Sequence, residues 1–456
     1  LLFFASIILS NLANFVRPEK MKEGYRKIKI SDYSYDLPRE RIAKYPLPER
    51  DRSRLLVWDG NSISDRVFGE LPSLVEPDSL LVFNNTRVIR ARLLFRKETG
   101  AVIEIFCLEP HEPADFAGNL STPGQVKWKC MVGNLKRWKW GQVTSLFTHS
   151  GTEHTLNAER LHAEGNAFIV RFSWDDFRIS FAEVLESMGH MPIPPYLERE
   201  DDESDAASYQ TLYARESGSV AAPTAGLHFT PAVLNALDKA GIGMAEVTLH
   251  VSAGTFRPVK SELIGDHMMH TEHFFVSRAT LEHLRGKKIT AVGTTTVRTL
   301  ESLYWLGVSS AAGHWPDDLI PSVSQWEPYE SHHGIISAGS DDQGQSAMHE
   351  GDTDMQLPAD MDPVQAIDQL LSVLDHAGTD ILEAKTDIII VPGYRFRITQ
   401  SMLTNFHQPH STLLLLVAAF TGDAWRAIYD HALSSGYRFL SYGDSMLLYT
   451  GRDKKG

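Results

Sequence analysis

"RVIRARLLF" at residues 87–95 is followed by "AVIEIFCLE" at 101–109, and the same texture returns in "NAFIVRFSW" at 166–174. Apolar and polar residues alternate within each run, the period of a half-buried β-strand. Gly and polar turns separate the runs, and no helical spacing interrupts them. Residues 85–175 are therefore expected to form a small antiparallel β-barrel domain inserted into the chain.

Outside that block the pattern changes. "SLLVF" (79–83), "AEVTLHV" (245–251), "KITAVG" (288–293), "DIIIV" (387–391) and "YRFLSYG" (437–443) read as strands. "TPAVLNALDKAG" (230–241), "TVRTLESLYWLG" (296–307) and "STLLLLVAAFTGDAWRAIYDHALSSG" (411–436) read as helices. The expected class is an α/β main domain with a mixed, barrel-like sheet, built from 28–84 and 176–456, around the inserted β-barrel. In such sheets ligands gather in loops at the carboxyl ends of strands. Those loops are unusually polar here: "NNTR" (84–87), "GTTTVR" (293–298), "TNFHQPHST" (404–412) and "YGDS" (442–445).

Composition narrows the class. The chain has 456 residues, 43% apolar and 22% charged, ordinary for a globular protein. Two cysteines, Cys107 and Cys130, give no disulfide framework and no metal-type CxxC pair, which fits a cytoplasmic setting. "LLFFASIILSNLANF" at the start lacks a basic lead and is too short to span a bilayer. Residues 1–27 are expected to be a leader outside the globular fold, with a weak signal or anchor as the alternative. No membrane association is expected.

The net charge of −14 argues against a nucleic-acid partner until it is located. Residues 309–384 hold fifteen Asp or Glu and no Lys or Arg, so without them −14 becomes +1. This segment reads as an acidic insertion with one helix at "DPVQAIDQLLSVLDHAG" (362–378) and a polar loop at 337–356. It is expected to project away from a nucleic-acid site or to pack on the outer face. A basic face elsewhere then becomes available. "VKWKCMVGNLKRWKW" (126–140) carries Lys127, Lys129, Lys136, Arg137 and Lys139 without an acid. Its cations suit phosphates and its Trp residues suit base stacking, unless it is a hairpin with one Trp-packed face.

Candidate chemistry sits in a few short stretches. "SVAAPTAGLHFT" (219–230) places Thr224, Gly226 and His228 among small residues that let backbone approach a ligand closely. In "EVTLHVSAGTF" (246–256) alternation puts Thr248, His250 and Ser252 on one face beside Gly254. His228 and His250 are the candidate proton carriers, and either is equally explained as a buried structural ring. "GTTTVR" opens a helix after a strand, so Thr294, Thr295 and Arg298 suit a carboxylate or phosphate, against plain N-capping. Asn84, Asn85 and Arg87 read as ligand-loop residues, and His407 and Asp444 as strand-end contacts. "DHMMHTEH" (266–273) spaces His267, His270 and His273 three apart, which on a helix would bring a metal to mind. A polar loop explains it as well, and no metal is expected. There is no GxxxxGK[ST], GxGxxG or GxSxG motif, which lowers nucleotide hydrolysis, hydride transfer and serine hydrolysis.

Nine stretches in one order resemble a single family. They are "DYSYDLPRERIAKYPLPERDRSRLLV", "LLVFNNTRVIRARL", "GHMPIPPY", "AAPTAGLHFT", "VTLHVSAGTFRPV", "HMMHTEHF", "AVGTTTVRTLES", "TNFHQPHSTLLLLVAAF" and "YRFLSYGDSMLL", spread from about 28 to 450. The resemblance is to the S-adenosylmethionine:tRNA ribosyltransferase-isomerases of queuosine biosynthesis. It implies that S-adenosylmethionine gives up its ribosyl group to 7-aminomethyl-7-deazaguanine at the tRNA wobble position. Epoxyqueuosine-tRNA, adenine and methionine would result. It also implies an α/β domain carrying a small β-barrel, with no cofactor, since S-adenosylmethionine is consumed as substrate. A monomer is expected. A metal-dependent hydrolase on the three spaced histidines and a non-catalytic RNA-binding protein remain the alternatives.

Overall fold

The computed structural model describes residues 24–97, 99–139, 141–252, 258–316, 320–330 and 361–450. The expected leader (apart from 24–27), the polar loop at 337–356, Trp140 and Gly254 lie outside the described residues.

A ten-stranded mixed sheet forms the body. In spatial order its strands are Ser322–Val323, Ile381–Thr386, Glu272–Ser277, Gly243–Leu249, Leu80–Asn84, Ile289–Val292, Thr399–Asn405, Ser445–Tyr449, Arg54–Trp58 and Ile63–Val67. The four central strands, from Gly243–Leu249 to Thr399–Asn405, run parallel to one another. Leu80–Asn84 shows why its sequence is apolar throughout. Leu80 and Val82 enter one core, and Leu81 and Phe83 enter the core on the opposite face. A strand covered on both sides loses the alternation that marks a one-sided strand. Because the central strands are parallel, their carboxyl ends lie along one edge, followed by the polar loops.

Six antiparallel strands between Arg92 and Trp174 form a second sheet. Its edge strands, Arg92–Arg96 and Gln142–His149, approach each other, so the sheet is nearly closed. The core inside takes Trp128, Trp138 and Phe172 and also Phe181, Val184 and Leu185 of the helix Phe181–Met188. Thr86–Val88, at the near end of the expected 85–175 block, pairs instead with Glu216–Ser219.

Three expected elements differ. Residues 387–391 form no strand, although 388–391 are buried; the strand is Ile381–Thr386, just before them. Their backbone groups are met by scattered partners: Asp387 N donates to Val323 O and Ile389 N to Gln325 O, while Tyr329 donates to Ile389 O and Val391 N to Tyr329. A continuous apolar run reports burial, not ladder pairing. Likewise the strand near "YRFLSYG" is Ser445–Tyr449, beyond it. The long helix expected at 411–436 is two, Thr412–Thr421 and Ala424–Ser434, bent by 112° at Gly422, whose φ is 60°. Among the described residues no single helix is long and apolar enough to cross a membrane.

The helix in the acidic segment is present as Pro363–Ala377, with the Asp362 side chain capping its start and Gly378 in the left-handed conformation at its end. It packs against Thr294–Ala311 so closely that a Cβ on Gly307 would lie 2.2 Å from Ala366 O. Part of 309–384 is thus integral to the core.

Candidate active site

A cleft with about 700 Å³ of space, open solvent at its mouth included, lies at the carboxyl edge of the central strands. Its walls come from the small-residue turn Ala221–Ala225, the turn Gly293–Thr295, the segment Thr404–Gln408, and Ser411, Leu413 and Ser441. Two helices begin here. Gly293, with φ 92°, turns the chain from strand Ile289–Val292 into helix Thr294–Ala311. That helix start has no side-chain cap, and the hydroxyls of Thr294 and Thr295 have no partner among the described residues. The second helix, Thr412–Thr421, is capped by Ser411, whose hydroxyl accepts from Leu414 N. First-turn N–H groups and helix dipoles make this edge a seat for a carboxylate or phosphate. Thr294 and Thr295 stand at that start and line the cavity.

Thr224 also lines the cavity, and its hydroxyl donates to Asn405 Oδ1 at 2.9 Å. Gly226 does not line it. A Cβ there would lie 2.0 Å from the Tyr213 hydroxyl, so this glycine serves close packing behind the wall. His228 is behind the wall too, 5% exposed, with its ring against Phe68. Its Nδ1 is 2.8 Å from Ser53 Oγ and its Nε2 3.2 Å from Asn405 Nδ2. Burial, with a smaller contribution from Arg438, holds this imidazole down to about 3, so it is neutral. The imidazole that does line the cavity is His407, which burial also lowers to about 3. Its Nε2 is 2.9 Å from the Thr404 hydroxyl.

His250 immediately precedes Val251 of the cavity wall. Its Nδ1 is 3.0 Å from Thr86 Oγ1, which also lies 3.3 Å from Glu216 O; when the hydroxyl proton goes to that carbonyl, Nδ1 carries the ring proton. Nε2 is then an acceptor, with no partner among the described residues. Burial, with a smaller effect of His273, lowers this ring to about 4.

Other candidates prove to hold the scaffold. Asn84 donates to Leu249 O at 3.0 Å and accepts from Leu249 N and Thr86 N, splinting two parallel strand ends. Asn85 does the same through Glu246 and Thr248. Arg87 is exposed and lines a separate groove with Arg90. Asp444 is 2% exposed and accepts from the backbone of Arg54 and Arg438, at 3.0 and 2.8 Å, which fixes the loop ahead of the last strand. Arg298 is buried, ion-paired with Glu272 and bonded through Nε to Ile388 O at 3.1 Å. Only its Nη2 is left, so a bidentate grip on an external anion is not open to it in this arrangement.

Residues 266–273 form a 3₁₀ turn and an extended segment, so His267, His270 and His273 do not share a helix face. Among the described residues no three His, Cys, Asp or Glu side chains gather as a metal-binding group. In the six-stranded sheet, Trp128 and Trp138 are fully buried, with their indole N–H groups given to Asn119 and Gly141 O. Lys127 is paired with Glu112, and Lys129 with Glu109 and Glu164 at 2.8 Å each. Lys136, Arg137 and Lys139 are exposed and without an ion pair among the described residues.

Sequence reasoning missed Asn405, Ser53 and Ser441. Asn405 ends the strand Thr399–Asn405, two residues before His407, and that strand-end position was the available signal. Nothing local marks Ser53, which meets His228 only through the fold.

Comparison with known proteins follows the same outline. The family model described as "Queuosine biosynthesis protein" matches residues 30–328 and 363–448, leaving out the middle of the acidic segment. A protein of Azoarcus sp. (strain BH72) named S-adenosylmethionine:tRNA ribosyltransferase-isomerase is 36% identical over 427 residues, 92% of this chain and 97% of that protein. A protein of the same name from Trichlorobacter lovleyi is 37% identical over 428 residues, 92% of this chain and 99% of its own. A crystal structure of S-adenosylmethionine tRNA ribosyltransferase from Thermotoga maritima is 27% identical and covers 91% of this chain and 99% of its own, with a TM-score of 0.40.

Proposed function

Because this chain belongs to the queuosine biosynthesis protein family, we infer that it is an S-adenosylmethionine:tRNA ribosyltransferase-isomerase. It transfers and isomerises the ribosyl group of S-adenosylmethionine onto 7-aminomethyl-7-deazaguanine in tRNA. The observation that carries the site is the cavity where two helix starts and a small-residue turn meet.

S-adenosylmethionine takes this cavity. Its carboxylate suits the uncapped helix start at Thr294 and Thr295. The sulfonium acidifies the ribose C5′ protons. Removing one gives an ylide, the sugar opens, and adenine leaves with a proton. The acceptor amine attacks the opened sugar, and methionine departs as the epoxide closes. The protein must supply a proton acceptor, a donor to adenine and exclusion of water. We assign the acceptor to His250, which keeps a free lone pair on Nε2. His407 faces the nucleoside, and His228 acts through Asn405 rather than on the substrate. Lys136, Arg137 and Lys139 contact tRNA phosphates. S-adenosylmethionine is consumed, so no cofactor enters this scheme. The six-stranded sheet is read as an inserted domain, and the protein as a cytoplasmic monomer.

The test mixes protein, S-adenosylmethionine and tRNA bearing the deazaguanine precursor. Adenine and methionine should appear in equal amounts, both dependent on that tRNA. S-adenosylhomocysteine in their place would mark a methyltransferase and overturn the reading.

A further inference from the structure

A second cavity, with about 1300 Å³ of space that includes its open mouth, lies beside the first. Leu413 belongs to both walls. Val251 faces the first and Ser252 the second; on the helix, Thr295 faces the first and Arg298, one turn on, the second. A transfer between two substrates needs two seats with one partition, so that reacting atoms meet without water between them.

We propose that this second cavity receives the acceptor nucleotide of the tRNA, extruded from its loop; this rests on the reading of the first as the S-adenosylmethionine site. Three observations select a nucleotide. The first is apolar surface at the rim. Met268 is 83% exposed, the highest among the large apolar side chains described, and it lines the cavity with His270. A flat base covers such a surface well, and stacking of this kind is tolerant of base identity. The second is a polar interior with unmet capacity. Arg298 Nη2 and Ser261 Oγ are buried without a partner among the described residues. The Arg298 side chain is 8% exposed, so its orphaned N–H group carries a desolvation cost that a base oxygen would relieve. Guanine-type bases present such an oxygen. The third is a cation at the mouth. Lys260 is exposed, lines the same cavity and has no ion pair among the described residues, which suits a phosphate. Asn166, from the turn of the six-stranded sheet, also lines it. The acceptor is thus held between the two sheets, while S-adenosylmethionine lies within the larger one.

Met268→Ala and Lys260→Ala test this, since both side chains are exposed and neither change disturbs the core. Each should raise KM for precursor-bearing tRNA about tenfold, the loss expected for one stacking or phosphate contact. S-adenosylmethionine affinity, measured by equilibrium dialysis without tRNA, should stay within about twofold. An unchanged KM for tRNA overturns the proposal, and so does an equal weakening of S-adenosylmethionine. Tight tRNA binding by the unaltered enzyme without adenine release would instead fault the ribosyl-transfer reading, and the same loss of about tenfold would then be read in filter-binding Kd of the two variants for that tRNA.

Discussion

His228 Nε2 stands 3.2 Å from the side-chain nitrogen of Asn405, which itself lies 3.4 Å from Asp444 O. A carbonyl can only accept, so Asn405 must present its NH₂ to Asp444 and therefore also to His228. Nε2 is then the acceptor, and Nδ1–H donates to Ser53 Oγ at 2.8 Å. The remaining end of the amide, Oδ1, receives the Thr224 hydroxyl. Ser53, His228 and Asn405 form one chain of bonds ending in the cavity wall.

That chain predicts non-additive mutants. Asn405→Ala and His228→Ala should each lower kcat/KM for adenine release by about tenfold or more, and the double variant should be little worse than either. His228→Asn, which keeps an acceptor, should recover part of the loss. Additive effects in the double variant would show that His228 acts independently of Asn405.

The Arg298–Glu272 pair is buried on both sides, at 8% and 2% side-chain exposure. Glu272→Ala leaves a buried guanidinium without its counter-charge and should cost about 3–5 kcal/mol in urea unfolding. Replacing both by apolar residues should cost much less. A Glu272→Ala protein as stable as the parent would mean that water or movement rescues Arg298.

Three buried histidines set an acid limit on stability. Burial holds His228 and His407 at about 3 and His250 at about 4, against an ordinary 6.5. Above 6.5 neither state binds the proton, and the folded form bears no penalty. As pH falls below 6.5 the unfolded chain takes up protons that the folded one refuses. Stability should therefore drop from pH 6.5 down to about 4, each ring adding up to about 1.4 kcal/mol per pH unit. Thermal melts at pH 7.5, 6 and 5 check this, and His250→Gln should flatten the slope. A Tm that does not change between pH 6.5 and 5 would contradict it.

Two glycines shape the cavity for different reasons. Gly226→Ala drives a Cβ to within 2.0 Å of the Tyr213 hydroxyl and should cost about 1–3 kcal/mol by overpacking. Gly293→Ala meets no close neighbour but must hold φ 92°, a strain of about 1–2 kcal/mol at the helix start. The second should weaken S-adenosylmethionine binding more than its stability loss implies, because it moves the Thr294 and Thr295 amides. Equal binding by the Gly293→Ala protein would detach that helix start from the ligand.

The basic stretch divides in two. Lys136→Glu, Arg137→Glu and Lys139→Glu should weaken tRNA binding and reduce the salt slope by about one per lost phosphate contact. Lys127→Ala and Lys129→Ala should change tRNA affinity little, since carboxylates already hold both ammonium groups. Filter binding across a salt series distinguishes them.

Local pattern carried much of this protein. The alternation at 87–95, 101–109 and 166–174 was enough to mark the antiparallel sheet, and Asp362 and Gly378 bounded their helix closely. It failed where burial and pairing part company. Ile388 and Ile389 are as apolar as any strand, yet Ile388 bonds to the Arg298 and Thr386 side chains, and Ile389 to the Tyr329 side chain and to Gln325 O. Periodicity reports which face is dry; it does not report what satisfies the backbone.

For the site, the sequence by itself determined the family to which the chain belongs and which loops were candidates, because small residues, helix starts and strand ends are local features. Only the tertiary structure decided which side chains reach the cavity. His228, Asn84 and Asp444 stand in ligand-type loops but turn their polar atoms inward, where burial requires that each be bonded within the protein. Thr224, Thr294 and the neighbours Asn405 and His407 come to one cavity from three stretches far apart in the chain. Their meeting depends on the parallel register of the central strands, a long-range property that no single stretch of sequence carries.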